Sequence, residues 1–418
     1  MKRPFSFEVR RGTALIVVAT GLIASTYGLV RLAYGLFLPD VQESLAMGDA
    51  VAGRISSGAS VAYCVGALCG LAAPRHARAL VVAALATASI GSIGMAVAGA
   101  VPLFAASAVL ASSGAGLASP ALVVVVERNV TEVRRDRAQA AVNAGTGPGL
   151  VAAGALALVL LPHWRVGLTV SAVVTAAVGV GVLLLDRGGP GRATAAGGAS
   201  YGWVRGLAVP AAAALLLGTG SAVVWTYGRT LLVDRGASDA ASTLAWIALG
   251  LGGTLTVATA RALSDRRPEV AWLVTAMATA AATAALGLAA DRLAVAIVAC
   301  TVFGWGFVAA TSALIAWAGR VVPERAGPGT ALLFVTLVLG QAVGSSAAGA
   351  VLEARGTTAA FLLAAAVTGV AAAAGIRRPG GRSGPRRRDL RRPAPAAAPP
   401  RDRDRRRRAA AAAHRGGC

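Results

Sequence analysis

Two arginines, Arg31 and Arg229, lie well inside long apolar stretches of the sequence. A charge is costly inside a bilayer, so an arginine in such a stretch indicates a functional role. Its guanidinium group grips a carboxylate or a phosphate through two parallel hydrogen bonds. We therefore interpret Arg31 and Arg229 as candidate anion-binding residues. The alternative is that both lie near the outer mouth, where they reach water or pair with Asp40 or Asp234.

A second group of candidates is neutral and polar. Tyr27, Tyr34 and Tyr227 each combine apolar area with a hydroxyl group, which suits the wall of a binding cavity. Asn143 and Gln341 place amide groups inside apolar stretches. The alternative roles are packing, interface anchoring and hydrogen bonding between helices. We predict that these five residues bind substrate together with the two arginines. Further aromatic candidates for the same site are Tyr63, Trp225, Trp246 and Trp305.

Residue clusters of the kind that enzymes use are missing from the sequence. No carboxylate pair lies inside an apolar stretch, and there is no Ser/His/Asp arrangement and no phosphate loop of the GxxxxGK type. The four cysteines lack the spacing of a metal site or a disulfide framework. We therefore predict no catalytic residue, no metal site and no cofactor.

The elements that must position these residues are membrane helices. The 418-residue chain is 56% hydrophobic and only 14% charged, whereas soluble domains carry about 25% charged residues. Its apolar stretches are continuous and long enough to cross about 30 Å of hydrocarbon, unlike the short alternating strands of a barrel. We predict an all-α membrane protein. Its twelve expected spans are 13–38, 51–73, 79–99, 101–126, 138–161, 165–185, 206–233, 241–260, 270–290, 293–317, 329–352 and 357–376.

The distribution of basic residues predicts the orientation of these spans. With the N-terminus inside, the N-terminal arm and the inner loops carry 18 Lys and Arg residues, and the outer loops carry five. Basic residues accumulate in cytoplasmic loops. We therefore expect both termini in the cytoplasm and a location in the bacterial inner membrane.

Several features of the first half recur in the second half at offsets of 190 to 200 residues. Such recurrence is typical of transporters built from two related bundles, so we expect two pseudo-symmetric halves of six helices each. The Thr-Tyr-Gly motif at 26–28 recurs at 226–228, the Gly-x-Gly motif at 114–116 recurs at 304–306, and the glycine series from Gly145 recurs from Gly340.

Polar segments flank the two expected bundles. The last 42 residues hold 15 Arg and almost no large apolar residue, so they cannot form a core and are predicted to be disordered. Because this segment supplies more than half of the net charge of +22, the charge does not indicate a nucleic-acid partner. The expected parts are a cytoplasmic arm (1–12), an N-terminal bundle (13–185), a cytoplasmic linker (186–205), a C-terminal bundle (206–376) and a cytoplasmic tail (377–418).

The loop after the second span carries the sequence GLAAPRHAR at 70–78. It resembles the G-x-x-x-D-R-x-G-R signature of the major facilitator superfamily, with Pro74 in place of the aspartate. The loop after the eighth span keeps the Asp-Arg pair. The resemblance implies that these loops hold the cytoplasmic side closed in one state; the alternative is that their arginines only enforce topology. The gating residues implied in this way are Arg75, Arg78, Asp265 and Arg266.

Two other segments carry weaker resemblances. Gly147-Pro148 in the fifth span resembles the Gly-Pro motif of exporters in this superfamily. The segment at 30–39, VRLAYGLFLP, is similar to the first helix of cyanate-permease-like bacterial members.

The 18 Asp and Glu residues fall in loops, at the termini or at span ends. Proton-coupled carriers usually hold the proton on a buried carboxylate or histidine. The sequence therefore favours uniport, anion exchange, or symport in which the substrate brings the proton. Coupling to a proton or a counter-ion through Asp40, Glu43 or Glu127 is the alternative.

The superfamily resemblance implies transport of a small solute across the membrane by alternating access. A small organic or inorganic anion is the preferred substrate because of Arg31 and Arg229. The first alternative is an exporter of drugs or metabolites. The second is a sensor or assembly factor that does not transport, which Pro74 favours. We expect a monomer in the lipid bilayer, with a small-molecule substrate as its partner.

Overall fold

The computed structural model describes residues 3–189 and 202–374, and every regular element in these ranges is helical. Eleven of the described helical segments are long and apolar enough to cross a membrane, and one further apolar helix has 17 residues. The predicted tail (377–418) and most of the predicted linker lie outside the described residues. The twelve long helices are α1 (3–45), α2 (Asp49–Ala72), α3 (Ala77–Ala96), α4 (Val101–Asn129), α5 (132–160), α6 (Trp164–Leu185), α7 (Ala208–Asp234), α8 (Asp239–Ser264), α9 (Pro268–Ala289), α10 (Leu293–Val321), α11 (Ala326–Arg355) and α12 (Thr357–Ala373). Short helical turns lie at Pro74–His76, Gly202–Gly206 and Pro323–Arg325.

The twelve helices correspond in order to the twelve predicted spans. The largest differences in bounds are in α1 and α5. The first helix begins at Arg3, so the described part of the expected N-terminal arm continues α1. The fifth helix consists of two segments, Glu132–Asn143 and Thr146–Leu160.

The break in α5 has a local cause. Pro148 lacks a backbone N–H, and its ring would clash with the carbonyl group four residues earlier, at Ala144, if the helix continued without interruption. The chain turns at Ala144 and Gly145, and the helix resumes at Thr146. Asn143 therefore ends the first segment, in an exposed position, instead of lying within a continuous span.

The middle of α1 is a π-helix over Ala24–Leu32, between α-helical segments Arg3–Ile23 and Ala33–Leu45. π-Helical turns are rare and occur often at functional sites. Inside this segment, Gly28 lies so close to Gly149 of α5 that a Cβ atom would overlap with the α5 backbone. The irregular segment thus carries a close helix contact, and it also carries Arg31.

Close packing of α1 on α5 depends on small residues. Gly145 and Gly149 of α5 lie against the α1 backbone at Thr20 and Ala24. A Cβ atom at either glycine would overlap with an α1 carbonyl oxygen. Membrane helices pack in this way where glycine lets two backbones approach.

The second half repeats this contact. Gly340 and Gly344 of α11 lie against α7 at Leu215 and Thr219. All four positions lie 195 residues after their counterparts in the first half. The glycine series is therefore a true repeat, and it relates α1 and α5 to α7 and α11.

The other repeated motifs need correction. In the register set by these contacts, Thr26 corresponds to Ser221, so the recurrence of Thr-Tyr-Gly at an offset of 200 is not a structural repeat. The π-helix also separates the two copies, because 26–28 lies within it and 226–228 lies in a regular α-helix. Consequently Arg229 lies at least three residues, nearly one turn, farther along its helix than Arg31.

The two Gly-x-Gly motifs make similar helix contacts, but in the opposite order. Gly114 of α4 packs on α3 and Gly116 packs on α2. In α10 the order is reversed, since Gly304 packs on α8 and Gly306 packs on α9. The same kind of helix contact is kept, but the two glycines exchange neighbours.

The two six-helix halves meet mainly along three pairs of helices. α2 contacts α11, α5 contacts α8, and the last part of α1 contacts α7, with a smaller contact between α2 and α7. At one end of the bundle, where α1 ends and α2 begins, backbone contacts bring the halves together: Gly35 lies against Trp225, Gly53 against Ser345, and Gly349 against Asp49. We call this the closed end; the opposite end, where α2 and α8 finish, is called the loop-motif end because it carries both signature-like loops.

Candidate functional site

A cavity lies between the two halves, and its empty space amounts to about 530 Å³ with the solvent at its mouth included. The first half contributes side chains from α1 to α4, and the second half contributes side chains from α7 and α11. Its lining residues are Val30, Arg31, Leu32, Tyr34, Gly35, Ser56, Ala59, Ser60, Met95, Ala108, Ala111, Ser112, Ala222, Trp225, Thr226, Gln341 and Ser345.

Arg31 is the one charged residue among the lining residues. Its Nη2 donates to Gln341 Oε1 at 3.0 Å and to Ser60 Oγ at 3.3 Å. Its guanidinium carbon lies 4.9 Å from the centroid of the Tyr63 ring. Gln341 belongs to the second half, so this hydrogen bond joins the halves across the cavity.

The charge of Arg31 has no counter-ion among the described residues, because no carboxylate oxygen lies within 4.0 Å of it. Its Nε is buried and has no hydrogen-bond partner in that part of the chain. A buried donor without an acceptor costs about 1–3 kcal/mol, and more when the group is charged. The site is therefore electrostatically incomplete.

Hydroxyl groups from both halves form a polar wall beside Arg31. Ser56 of α2 lies 3.0 Å from Thr226 of α7 and 3.1 Å from Ser345 of α11, as measured between hydroxyl oxygens. Thr226 and Ser345 lie 3.3 Å apart. Tyr34 also lines the cavity and donates to the Ala52 carbonyl oxygen at 2.8 Å. This network links α2, α7 and α11 on the side of the closed end.

Trp225 is the aromatic residue that the second half contributes to the cavity wall. Its ring centroid lies 5.2 Å from Phe307, 5.4 Å from Phe303 and 6.4 Å from Trp246, each in an edge-to-face arrangement. These neighbours fix the indole ring. Its Nε1 is buried without a hydrogen-bond partner among the described residues.

Arg229 does not line the cavity. It is fully buried at the closed end, where its Nη1 pairs with Asp40 of α1 and donates to the Leu36 carbonyl oxygen at 2.9 Å. Its Nη2 pairs with Asp239 at 2.7 Å, and its Nε donates to Ser242 Oγ at 3.1 Å. All three nitrogen atoms of the guanidinium group are thus occupied by protein groups.

This arrangement corresponds to the alternative considered from the sequence, with one change. The two carboxylates that pair with Arg229 are Asp40, which that alternative named, and Asp239, which it did not name; it named Asp234 instead. Asp239 is the first residue of α8, and helix starts favour an acidic side chain there. Asp40 comes from the first half, so the ion pair links the halves.

Other contacts close the same end. Tyr227, predicted to bind substrate, is buried there and donates to the Asp49 carbonyl oxygen at 2.7 Å. The Glu353 carboxylate accepts from the backbone N–H of Ala50 at 2.8 Å, at the start of α2. Both contacts join the second half to the first.

Two more predicted residues lie outside the cavity lining. Tyr27 is packed behind Arg31, where its hydroxyl group contacts those of Tyr63 and of Ser119, the latter at 2.9 Å. Asn143 is exposed at the break in α5. Of the seven predicted binding residues, the structure therefore brings Arg31, Tyr34 and Gln341 together at the cavity.

The predicted gating residues lie at the loop-motif end. The side chains of Arg75, Arg78, Asp265 and Arg266 are exposed and make no hydrogen bond or ion pair with another described residue. In this conformation the halves are linked by polar contacts at the closed end and not by these four side chains.

Sequence reasoning missed the hydroxyl residues of the cavity. Ser56 and Ser60 are four residues apart on α2, a spacing that places them on one face of a helix. Serine and threonine occur in many of the spans, so this spacing alone did not distinguish the cavity from ordinary helix contacts.

Comparisons with known proteins agree with the geometry. Residues 23–376 match the family model described as "Uncharacterised MFS-type transporter YbfB". No curated protein matches the chain. The likeness to cyanate permeases expected from 30–39 is not among these findings.

Solved transporter structures share the fold at low sequence identity. A mutant form of the nucleoside transporter NupG has 14% identity and a TM-score of 0.70, over 87% of this chain and 99% of that one. The D-xylose-proton symporter has 15% identity and a TM-score of 0.70, over 86% and 96%. A POT family transporter in complex with 5-aminolevulinic acid has 13% identity and a TM-score of 0.72, over 87% and 94%.

The family and the structural neighbours are transporters, not enzymes. The apolar helices and the cavity between two halves fit the same role in a multi-pass membrane protein. The chain belongs to the YbfB-like family of transporters in the major facilitator superfamily.

Proposed function

We propose that this transporter moves small organic or inorganic anions by alternating access. The observation that carries the proposal is Arg31, a cation in the cavity between the halves with no carboxylate partner among the described residues. Insertion scales put the cost of an arginine at the middle of a membrane helix at about 2.5–3.5 kcal/mol. A bound anion lowers that cost by supplying the missing charge and an acceptor for the free donors.

Coupling between the anion and the conformation follows from the placement of Arg31. It contacts Ser60 in the first half and Gln341 in the second. An anion that binds the guanidinium group also meets groups of both halves. A ligand shifts a conformational equilibrium only as far as its affinity differs between the two states, and a site shared by two moving halves provides that difference.

Basic residues are most numerous in the N-terminal arm and in the loops that follow the even-numbered helices, at the loop-motif end. Because basic residues accumulate on the cytoplasmic side, this supports placing the closed end on the periplasmic side. On that assignment both termini are cytoplasmic, the membrane is the bacterial inner membrane, and the cavity is reached from the cytoplasm. Arg75, Arg78, Asp265 and Arg266 would then close the cytoplasmic side in the opposite state. Their exposure in the present conformation is compatible with that role.

No carboxylate belongs to the cavity lining, and Asp40, the acidic residue deepest in α1, is paired with Arg229. This favours exchange of anions, uniport, or entry of the anion with its own proton. A proton or counter-ion that binds to the protein itself would need a carboxylate at another place.

The test is anion counterflow in proteoliposomes made with wild type, Arg31→Ala and Arg54→Ala. Arg54 is an exposed arginine on α2 and serves as the matched control. We expect a panel of organic and inorganic anions to exchange with wild type and Arg54→Ala, and Arg31→Ala to lose at least about 90% of the rate, since hydrogen bonds to a charged group contribute about 1.5–3 kcal/mol. Equal rates in all three proteins would overturn the proposal.

The exporter alternative predicts a different pattern in the same vesicles. Bulky cations or neutral compounds would be transported, and Arg31→Ala would not change their rate. Gly147-Pro148, the motif behind that alternative, lies where α5 breaks and contacts Thr254 of α8.

A further inference from the structure

The two halves bring different groups to the cavity. The first half supplies the guanidinium group of Arg31, which donates to Ser60, and the ring of Tyr34. The second half supplies the indole of Trp225 and the amide of Gln341, which accepts from Arg31. A ligand that fills the space therefore meets a cation on one side and an aromatic surface on the other.

The charges of the lining residues restrict the charge of the ligand. Arg31 contributes one positive charge, and no other lining residue is ionised. A monoanion neutralises that charge. A dianion, such as a dicarboxylate or a doubly charged phosphate, would leave one negative charge without a partner in a site of low dielectric constant, and this is costly.

The apolar part of the lining restricts the body of the ligand. Met95, Ala108 and Ala111 face the space together with Trp225. An inorganic anion would give up its hydration shell and gain few hydrogen bonds from these groups. A flat apolar body gains by burying its surface, at about 25 cal/mol per Å².

The indole of Trp225 is held in place before any ligand arrives. Trp246, Phe303 and Phe307 pack against it edge to face. Its N–H has no acceptor among the described residues. Ser112, which also lines the cavity, has a buried hydroxyl group that likewise lacks a hydrogen-bond partner among the described residues. A second acceptor on the ligand would satisfy one of these groups.

On the basis of the anion-carrier function, we propose that the substrate is an aromatic monocarboxylate, with its carboxylate on Arg31 and its ring on Trp225. A ring substituent that accepts a hydrogen bond strengthens the contact with the Trp225 N–H or with Ser112. Arg31 thus selects the charge, and Trp225 selects the aromatic body.

The test is a titration of the purified full-length protein with benzoate, 2-hydroxybenzoate, acetate, succinate, phosphate and chloride. For wild type, we expect both aromatic monocarboxylates to bind at least about tenfold more tightly than acetate, and succinate and phosphate to bind no better than acetate. Equal affinities for benzoate and acetate, or tighter binding of the dianions, would overturn this inference and leave the anion-carrier function standing.

If no anion in the panel binds, the anion-carrier function itself fails. The order of affinities measured for wild type distinguishes these outcomes without any variant. This is useful because Trp225 is part of the core, where a substitution also affects packing.

Two variants of Trp225 locate the preference. We expect Trp225→Ala to reduce the ratio of acetate to benzoate dissociation constants to below about threefold. Trp225→Phe keeps a ring and is expected to retain most of that ratio. Trp305→Ala, outside the cavity lining, is the control and should leave the ratio unchanged. An unchanged ratio in folded Trp225→Ala would overturn the inference.

Discussion

Arg31 and Arg229 lie on corresponding helices of the two halves, yet their surroundings differ. Arg229 is fully buried, pairs with Asp40 and Asp239, and uses all three nitrogen atoms. Arg31 is half-buried beside a cavity, and its Nε has no partner among the described residues. Carboxylates neutralise Arg229, and the described residues offer none to Arg31.

The difference separates a structural role from a binding role. A buried charge with two carboxylates and a full set of hydrogen bonds holds elements together, and it leaves nothing for a ligand. A charge inside a membrane helix is costly to keep when it has no counter-ion. We interpret Arg229 as the link between the halves at the closed end and Arg31 as the residue that binds the transported anion.

The largest loss of stability is expected from a substitution of Arg229. Arg229→Gln leaves Asp40 without its buried partner, and removal of one member of a buried ion pair typically costs about 3–5 kcal/mol. We expect the melting temperature of the purified protein to fall by several degrees. A change in stability below about 1 kcal/mol would contradict the structural role.

A smaller effect is expected from the helix contact beside the cavity. A Cβ atom at Gly35 of α1 would overlap with the carbonyl oxygen of Trp225, so Gly35→Ala forces α1 and α7 apart. Overpacking of this kind costs about 1–3 kcal/mol, and the closed state bears the cost. We expect faster labelling of a cysteine at Thr226 by a reagent added on the closed side.

The control for this experiment is Gly228→Ala on α7. The atom nearest to a Cβ added at Gly228 is Cγ1 of Val224, in the same helix, at 3.4 Å. This is an ordinary contact distance, so nothing in the other half obstructs the added methyl group. Equal labelling rates in Gly35→Ala and Gly228→Ala would show that the contact does not hold the closed end.

A third arginine, Arg128, forms an ion pair with Asp186 at the ends of α4 and α6. Burial alone would raise the pKa of Asp186, which follows α6, but hydrogen bonds from Arg128 and Asn129 and the charge of Arg128 lower that pKa below its ordinary value. The pair therefore stabilises the fold above the unfolded pKa of about 3.9, and this stability is lost as the pH falls through the folded pKa.

We expect Arg128→Gln to raise the pKa of Asp186, so that acid destabilisation begins at a higher pH than in wild type. The loss at neutral pH should be about 1.5–3 kcal/mol, because hydrogen bonds from the Arg128 guanidinium group to the carboxylate are removed. Melting temperatures between pH 3 and pH 7 measure both effects. Superimposable curves for variant and wild type would contradict the assignment.

The smallest effect is expected at Arg31 when no ligand is present. Arg31→Gln removes a charge that has no carboxylate partner in the described part of the chain, and it gives up the hydrogen bonds to Ser60 and Gln341. These changes oppose each other, so the stability of the unliganded protein should change by less than about 1 kcal/mol. A loss as large as that of Arg229→Gln would remove the distinction between the two arginines.

The sequence predicted the helices far better than the site. Hydropathy defines each span because each must cross the same apolar layer, and the glycine series from Gly145 and Gly340 marked a true repeat. The π-helix around Arg31 includes the close contact of Gly28 with Gly149 of α5, and these residues lie more than 100 positions apart.

The site was predicted in part, for a physical reason. Arg31 stood out because a charge in an apolar stretch is rare, and the same signal pointed to Arg229. Whether a carboxylate reaches such a charge depends on a partner distant in sequence. Asp40 lies 189 positions from Arg229, and no local pattern connects them.

The most direct test compares anion-dependent thermal stabilisation of wild type, Arg31→Gln and Arg229→Gln. An anion at 100 times its dissociation constant should add about 2.7 kcal/mol to the stability of a protein that binds it. We predict this gain for wild type and for Arg229→Gln, from its lower starting point, and little or none for Arg31→Gln. Full stabilisation of Arg31→Gln, or its loss only in Arg229→Gln, would contradict the roles assigned to the two arginines.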